Sequence, residues 1–159
     1  MILHSALMFA GYDLADNPLN KIEWAFAATE CVHIASLALS IGTIAVVDLS
    51  LLGLGLKNQT PAKLLRSTEL LTMAGLTLVI SSGLALFTTD PLRYYYSPTF
   101  RIKMYLLLAG LVYNYTIHRR MTRPEAPSLA AKAAGAVSLF IWISVIFCGL
   151  FFAFTAGGY

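Results

Sequence analysis

Four stretches of this chain are apolar for about 20 residues or more, the length a helix needs to cross the hydrocarbon of a bilayer. They lie at about residues 24–56, 64–88, 100–118 and 131–155. Short connections force sequential spans to run antiparallel beside one another. The expected architecture is therefore all-α: an integral membrane, up-down-up-down four-helix bundle, one membrane domain over residues 1–159. Composition points the same way, since 58% of the 159 residues are hydrophobic, 12% are charged and mean hydropathy is +0.72. A soluble domain carries charge on about a quarter of its residues.

The first 17 residues hold an apolar run of about ten, too short to span, which predicts a short interfacial helix lying on the membrane surface. No basic residue precedes the run, and Asp13 and Asp16 follow it, so it does not resemble a cleavable signal. Asn17 and Pro18 together are a helix-start signal. A single helix from Pro18 to Leu56 would be about 58 Å long, nearly twice the hydrocarbon thickness, and must tilt, protrude or bend before the span proper. Of the 11 Lys and Arg residues, Lys57, Lys63, Arg66, Arg119, Arg120, Arg123 and Lys132 fall on one side, and Lys21, Arg93, Arg101 and Lys103 on the other. The positive-inside rule then puts both termini on the periplasmic side of a bacterial inner (cytoplasmic) membrane. Pro61, Pro124 and Pro127 are expected to stop helices on the inner side, while Pro91 and Pro98 bracket three tyrosines suited to the outer interface. Cys31 and Cys148 sit in apolar runs without C-x-x-C spacing and read as buried small hydrophobes.

Glu30, His33 and Asp48 stand inside the first apolar stretch. A charged residue at the centre of a span costs about 2.5–3.5 kcal/mol, so such groups are usually paired or used. His33 and Asp48 are about 22 Å apart along a helix axis and about 60° around it, and Lys103 and His118 repeat that spacing in the third, parallel span. Two tiers follow. Glu30, His33 and Lys103 form an outer one, and Asp48, Asn114 and His118, joined by Glu69, form an inner one. Complementary signs within each tier allow these side chains to hold helices together, a structural polar layer.

The same residues also suit a haem b site, with His33 as axial ligand and Arg101 and Lys103 at the depth of the propionates. His33 and His118 lie at opposite ends of parallel helices and cannot ligate one iron; His118, followed by two arginines, reads equally as a second haem ligand or as a solvated interface histidine. A path for a metal ion or proton along Glu30, His33, Asp48 and Glu69 is the third reading. Gly75, Gly83, Ser81 and Ser82 look like small-residue helix contacts. The sequence contains no nucleophile-elbow, zincin or phosphate-loop motif, and its net charge of +3 is spread over membrane-orienting loops, which argues against a nucleic-acid partner.

E-x-x-H at Glu30 to His33, Gly42, Asp48-Leu49, P-x-F-R-x-K at Pro98 to Lys103, Asn114 with His118, and Ser138 with Trp142 occur in an order that resembles a family of bacterial four-helix membrane proteins of unknown function. More distantly the plan is similar to CopD-type copper-resistance proteins and HemJ-type protoporphyrinogen oxidases. The latter likeness implies haem at His33. The chain departs from the family pattern at Gly149, which is followed by Leu150 where arginine is expected. The function expected from the sequence is a membrane cytochrome b-like subunit taking part in electron transfer, with the lipid bilayer and either further copies of itself or a larger membrane complex as partners. A non-catalytic accessory subunit is the alternative, and metal-ion or proton transport the third.

Overall fold

A computed structural model describes residues 14–54, 59–123 and 128–156. Most of the expected interfacial segment 1–17 lies outside them, as do Lys57, Pro124 and Pro127 of the expected inner connections.

The described chain begins with a 3-10 turn at Leu14–Asp16 and helix α1 (Pro18–Lys21). Asn17 caps α1, its side-chain oxygen accepting the Leu19 N–H at 2.9 Å, and Pro18 supplies a preset first turn. The same Asn17 amide donates to the carbonyl and hydroxyl oxygens of Thr88, both at 2.9 Å, and Asn20 donates to the Thr89 carbonyl at 3.0 Å. These bonds hold α1 against the far end of another helix, and the chain breaks at Ile22–Trp24 before α2 (Ala25–Leu51) begins. The overlong helix is thus resolved by a bend. At its other end α2 stops on Gly53, whose φ of +83° is open to glycine, while Gly53 donates to Ser50 and Leu54 to Leu49.

Helix α3 (Pro61–Phe87) is capped by Thr60, α4 (Pro91–Tyr96) by Asp90, and α5 (Pro98–Tyr113) by Ser97. Pro61 therefore starts a helix where it was expected to stop one. Directly after a capping side chain, proline's missing N–H is one of the donors the first turn leaves unused anyway. Beyond α5 the chain widens into a π-helical turn at Asn114–His118 and continues as α6 (Arg119–Met121), so the backbone is helical for about 36 Å at 1.5 Å per residue. The last helix is α7 (Leu129–Ala156). The described residues contain helices and no strand.

Three helices are long and apolar enough to cross a membrane: Ala25–Leu51, Pro61–Phe87 and Leu129–Phe154. The chain is accordingly read as a membrane protein, and the large apolar side chains left uncovered, such as Leu70, Phe140 and Phe154, suit lipid. The expected third span at 100–118 is of another kind, because α5 has 16 residues before the π turn interrupts it and carries Arg101 and Lys103.

Helices pack in two antiparallel pairs. His33 meets Ser82, Ser40 meets Gly75 and Thr43 meets Thr72, so each step up α2 matches an equal step down α3. On α5 and α7, Lys103 lies at Gly149, Gly110 at Trp142 and Tyr113 at Ala134. Helix α2 joins the pairs by packing on α7 as well. Small residues permit this closeness: a Cβ on Gly75 would stand 2.9 Å from the Ser40 nitrogen, and one on Gly135 2.9 Å from the Asp48 carbonyl oxygen. Ile41, Ile44, Leu76, Val79, Trp142 and Val145 form the buried apolar core. This layer lies between the His33 end and the Asp48 end of the molecule, separating the two polar tiers. Cys148 is half-buried but Cys31 is exposed, contrary to the expectation that both are covered.

Candidate functional site

The inner tier is the better enclosed. Asp48 is 0% and His118 1% exposed, and His118 Nε2 lies 2.5 Å from Asp48 Oδ1. One proton must lie between two such atoms, whichever partner owns it. The π turn brings this about locally: it carries both Asn114 and His118 into the interior, where Asn114 is 5% exposed. A solvated interface histidine, one reading of His118 from its arginine neighbours, is ruled out by that burial. From α7 the Ser138 hydroxyl lies close enough to the Asp48 carboxylate to act on its charge without meeting hydrogen-bond geometry. Thr122, also buried, donates to the Arg119 carbonyl at 3.0 Å.

Among the described residues, Asp48 Oδ2, His118 Nδ1 and Ser138 Oγ are buried side-chain atoms without a hydrogen-bond partner. Buried polar atoms are normally satisfied, so three together need a physical account. Of these three residues His118 lines a small cleft of about 20 Å³, room for roughly one water, together with Glu69, Thr72, Asn114 and Arg119 among others. Glu69 does not reach Asp48 or His118. It is bonded to Arg119, whose guanidinium also lies over the Tyr115 ring at 5.6 Å from its centroid. The Glu69–Arg119 pair is a little over a third exposed and forms the outward edge of the cleft.

The outer tier is looser. His33 is half-buried, with Nδ1 3.0 Å from Ser82 Oγ, and its ring lies flat enough on α3 that a Cβ on Gly83 would be 3.0 Å from Cε1. Lys103 is half-buried, near enough to His33 for their charges to interact, and its Nζ would stand 3.3 Å from a Cβ on Gly149. Among the described residues neither Lys103 nor Glu30 has an ion-pair partner. Arg101 is exposed, and two residues along a helix turn it about 200° from Lys103, so the two cations expected at one propionate site do not share a face. Outside the spans, burial pushes the Tyr94 hydroxyl pKa up, opposed by a hydrogen bond with Thr89. Tyr94 stacks on Phe152 and packs edge-on to Phe100.

For haem, His33 offers suitable donor chemistry: an imidazole with one nitrogen fixed by a neighbour. Among the described residues of one copy no second histidine comes to its level, since His118 lies across the apolar layer with Nε2 on Asp48. Among the described residues, no three His, Cys, Asp or Glu side chains gather as a metal-binding set.

Sequence reasoning assigned Arg119 only to membrane orientation and missed it as the partner of Glu69. Its position directly after His118 was the available signal. Ser82 was read as a packing residue but is also the anchor of His33. The π turn had no sequence signal.

Comparison with curated proteins gives no match, and comparison with solved structures gives none either. One family model covers residues 20–155. That span takes in every helix from α2 to α6 and nearly all of α7, and the chain belongs to the family of unknown function DUF6644.

Proposed function

We propose that this chain is a membrane subunit whose Asp48–His118 pair binds and releases a proton inside the bilayer. In this reading the chain crosses four times as an up-down-up-down bundle. The helical stretch Pro98–Met121 makes the third crossing, and the Arg119, Arg120 and Arg123 end faces the cytoplasm of a bacterial inner membrane. The carrying observation is the enclosed pair, whose Asp48 Oδ2 and His118 Nδ1 have no hydrogen-bond partner among the described residues, with His118 also lining a cleft of one-water size. A pair serving only to hold helices together has no use for unsatisfied atoms, each of which costs about 1–3 kcal/mol. The apolar layer above the pair favours exchange with one membrane face over conduction of an ion through the bundle. The chain has little mass outside the membrane, which suits a subunit serving a larger complex or further copies of itself.

Nitrogen-15 NMR of the detergent-solubilised protein tests this directly, because the chain has only three histidines. The His118 resonances should report gain and loss of a proton, and that response should differ in Asp48→Asn. A His118 ring fixed in one protonation state wherever the protein is folded, in wild type and variant alike, would leave the pair a structural lock.

Haem b at His33 is the second reading, favoured by the Ser82 bond that fixes His33 Nδ1. Haem would supply one-electron chemistry within the membrane. The second axial ligand would come from another copy or a partner subunit. Lys103 would be the propionate partner, with Arg101 acting only from a different face. An oxidised and then reduced visible spectrum of purified protein decides it: no Soret band, with iron absent by metal analysis, removes haem.

A further inference from the structure

The inner cleft is bounded on one side by His118 of the buried pair and on the other by an ion pair that reaches the molecular edge. Glu69 and Arg119 are each a little over a third exposed, whereas His118 and Asn114, lining the same cleft, are buried. The cleft also presents the Thr72 hydroxyl, which donates to the Thr43 hydroxyl at 2.8 Å. A polar space for about one water with several convergent partners is where an ordered water is held. The one buried ring nitrogen of His118 without a partner belongs to a residue lining that space.

Resting on the proton-binding reading above, we propose that Glu69 is the group through which the Asp48–His118 pair exchanges its proton. The exchange runs by one water held between Glu69, Asn114 and His118, and Arg119 is the clamp that restrains it. Atoms balance as a relay: the water passes a proton to Glu69 as it takes one from the His118 ring, and the pair is refilled by the reverse step. While Arg119 holds the Glu69 carboxylate, the relay waits. When Arg119 swings away toward solvent, Glu69 is free to take the proton.

The groups facing this site are few. Helix α2 contributes Asp48, α3 contributes Glu69, and the stretch from α5 to α6 contributes Tyr113, Tyr115, His118 and Arg119. Helix α7 contributes the Ser138 hydroxyl, while Lys132 is exposed, as is Arg66 on α3. Glu69 is thus the carboxylate at the mouth of the cleft, and a proton leaving by this side meets it first.

Full-length protein in lipid nanodiscs, read by deuterium exchange at the His118 ring nitrogen, tests the relay. Proton transfer by a positioned acid–base group is worth about a hundredfold or more, so Glu69→Gln should slow exchange by that order while the pH titration of His118 stays as in wild type. Arg119→Gln, which frees the carboxylate, should speed it. Asn114→Leu, which fills the water position and leaves Glu69 and Arg119 in place, should slow exchange as Glu69→Gln does, and serves if that variant does not fold. Unchanged exchange in Arg119→Gln and in either slowing variant, with the His118 titration intact, overturns the relay and leaves the proton site standing. A wild-type His118 that does not titrate at all overturns both.

Discussion

Replacing His118 by leucine would strip from a carboxylate that is 0% exposed its one hydrogen-bonded side-chain partner among the described residues. Leucine is of similar bulk but cannot hydrogen-bond, so Oδ1 joins Oδ2 as an unpartnered atom and Ser138 is left as the nearest polar neighbour. Removing one member of a buried pair costs about 3–5 kcal/mol, and because both groups are enclosed, solvent screening does not reduce it. At 1.36 kcal/mol per tenfold, the unfolding equilibrium should shift by between about a hundred- and several-thousand-fold. Adding Asp48→Asn to His118→Leu removes the stranded charge and leaves a neutral polar group, whose penalty is about 1–3 kcal/mol. The double variant should therefore be more stable than His118→Leu alone, with a coupling of about 2 kcal/mol. The assay is unfolding in mixed detergent followed by tryptophan fluorescence in a Trp24→Phe background, so that Trp142, 1% exposed, is the sole reporter. A loss below about 1 kcal/mol for His118→Leu, or simple additivity of the two changes, would refute the reasoning that the pair is held as a unit in a dry site.

Gly75→Ala should destabilise the α2–α3 contact by about 1–3 kcal/mol, since its Cβ meets backbone that cannot swing away. Gly42→Ala, with nothing within 4 Å, should be neutral or stabilise by up to about 1 kcal/mol; the same unfolding assay compares them. Asn17→Ala should cost about 1–2 kcal/mol and raise hydrogen exchange at the Leu19 amide, because it removes a helix cap and two bonds to Thr88. Tyr94 is neutral when protonated and its folded pKa lies above the ordinary tyrosine value. Its contribution is fully present below about pH 10 and lost as pH rises through the folded value, and Tyr94→Phe should blunt the loss of stability in that alkaline range.

Much of this fold could be read from apolar run length. The spans expected at about 24–56, 64–88 and 131–155 differ from the observed helices by a few residues at their ends, where Gly53 and the cap-proline pairs set the boundaries. The third span was harder, because hydropathy says nothing of a π turn, which depends on how α5 packs and not on its composition. In the inner tier, the spacing of Asp48 and His118 on parallel helices was enough to place them together, since depth is set by residue count alone. Glu69 shares their depth but not their partner. Which way a side chain turns depends on helix rotation, and no residue count gives that. In the outer tier the miss was avoidable: Arg101 and Lys103 match in depth, but two residues of helix turn them about 200° apart, which the sequence alone gives.

The apolar layer of Ile41, Ile44, Leu76, Val79, Trp142 and Val145 has a consequence for how the two ends answer to change. Side chains more than about 7–10 Å apart with no shared contacts contribute independently, and His33 and His118 are separated by about twice that. Damage at one end should leave the other undisturbed, so a His33 variant and a His118 variant should combine as the plain total of their separate effects, two molecular halves sharing a wall and no wiring.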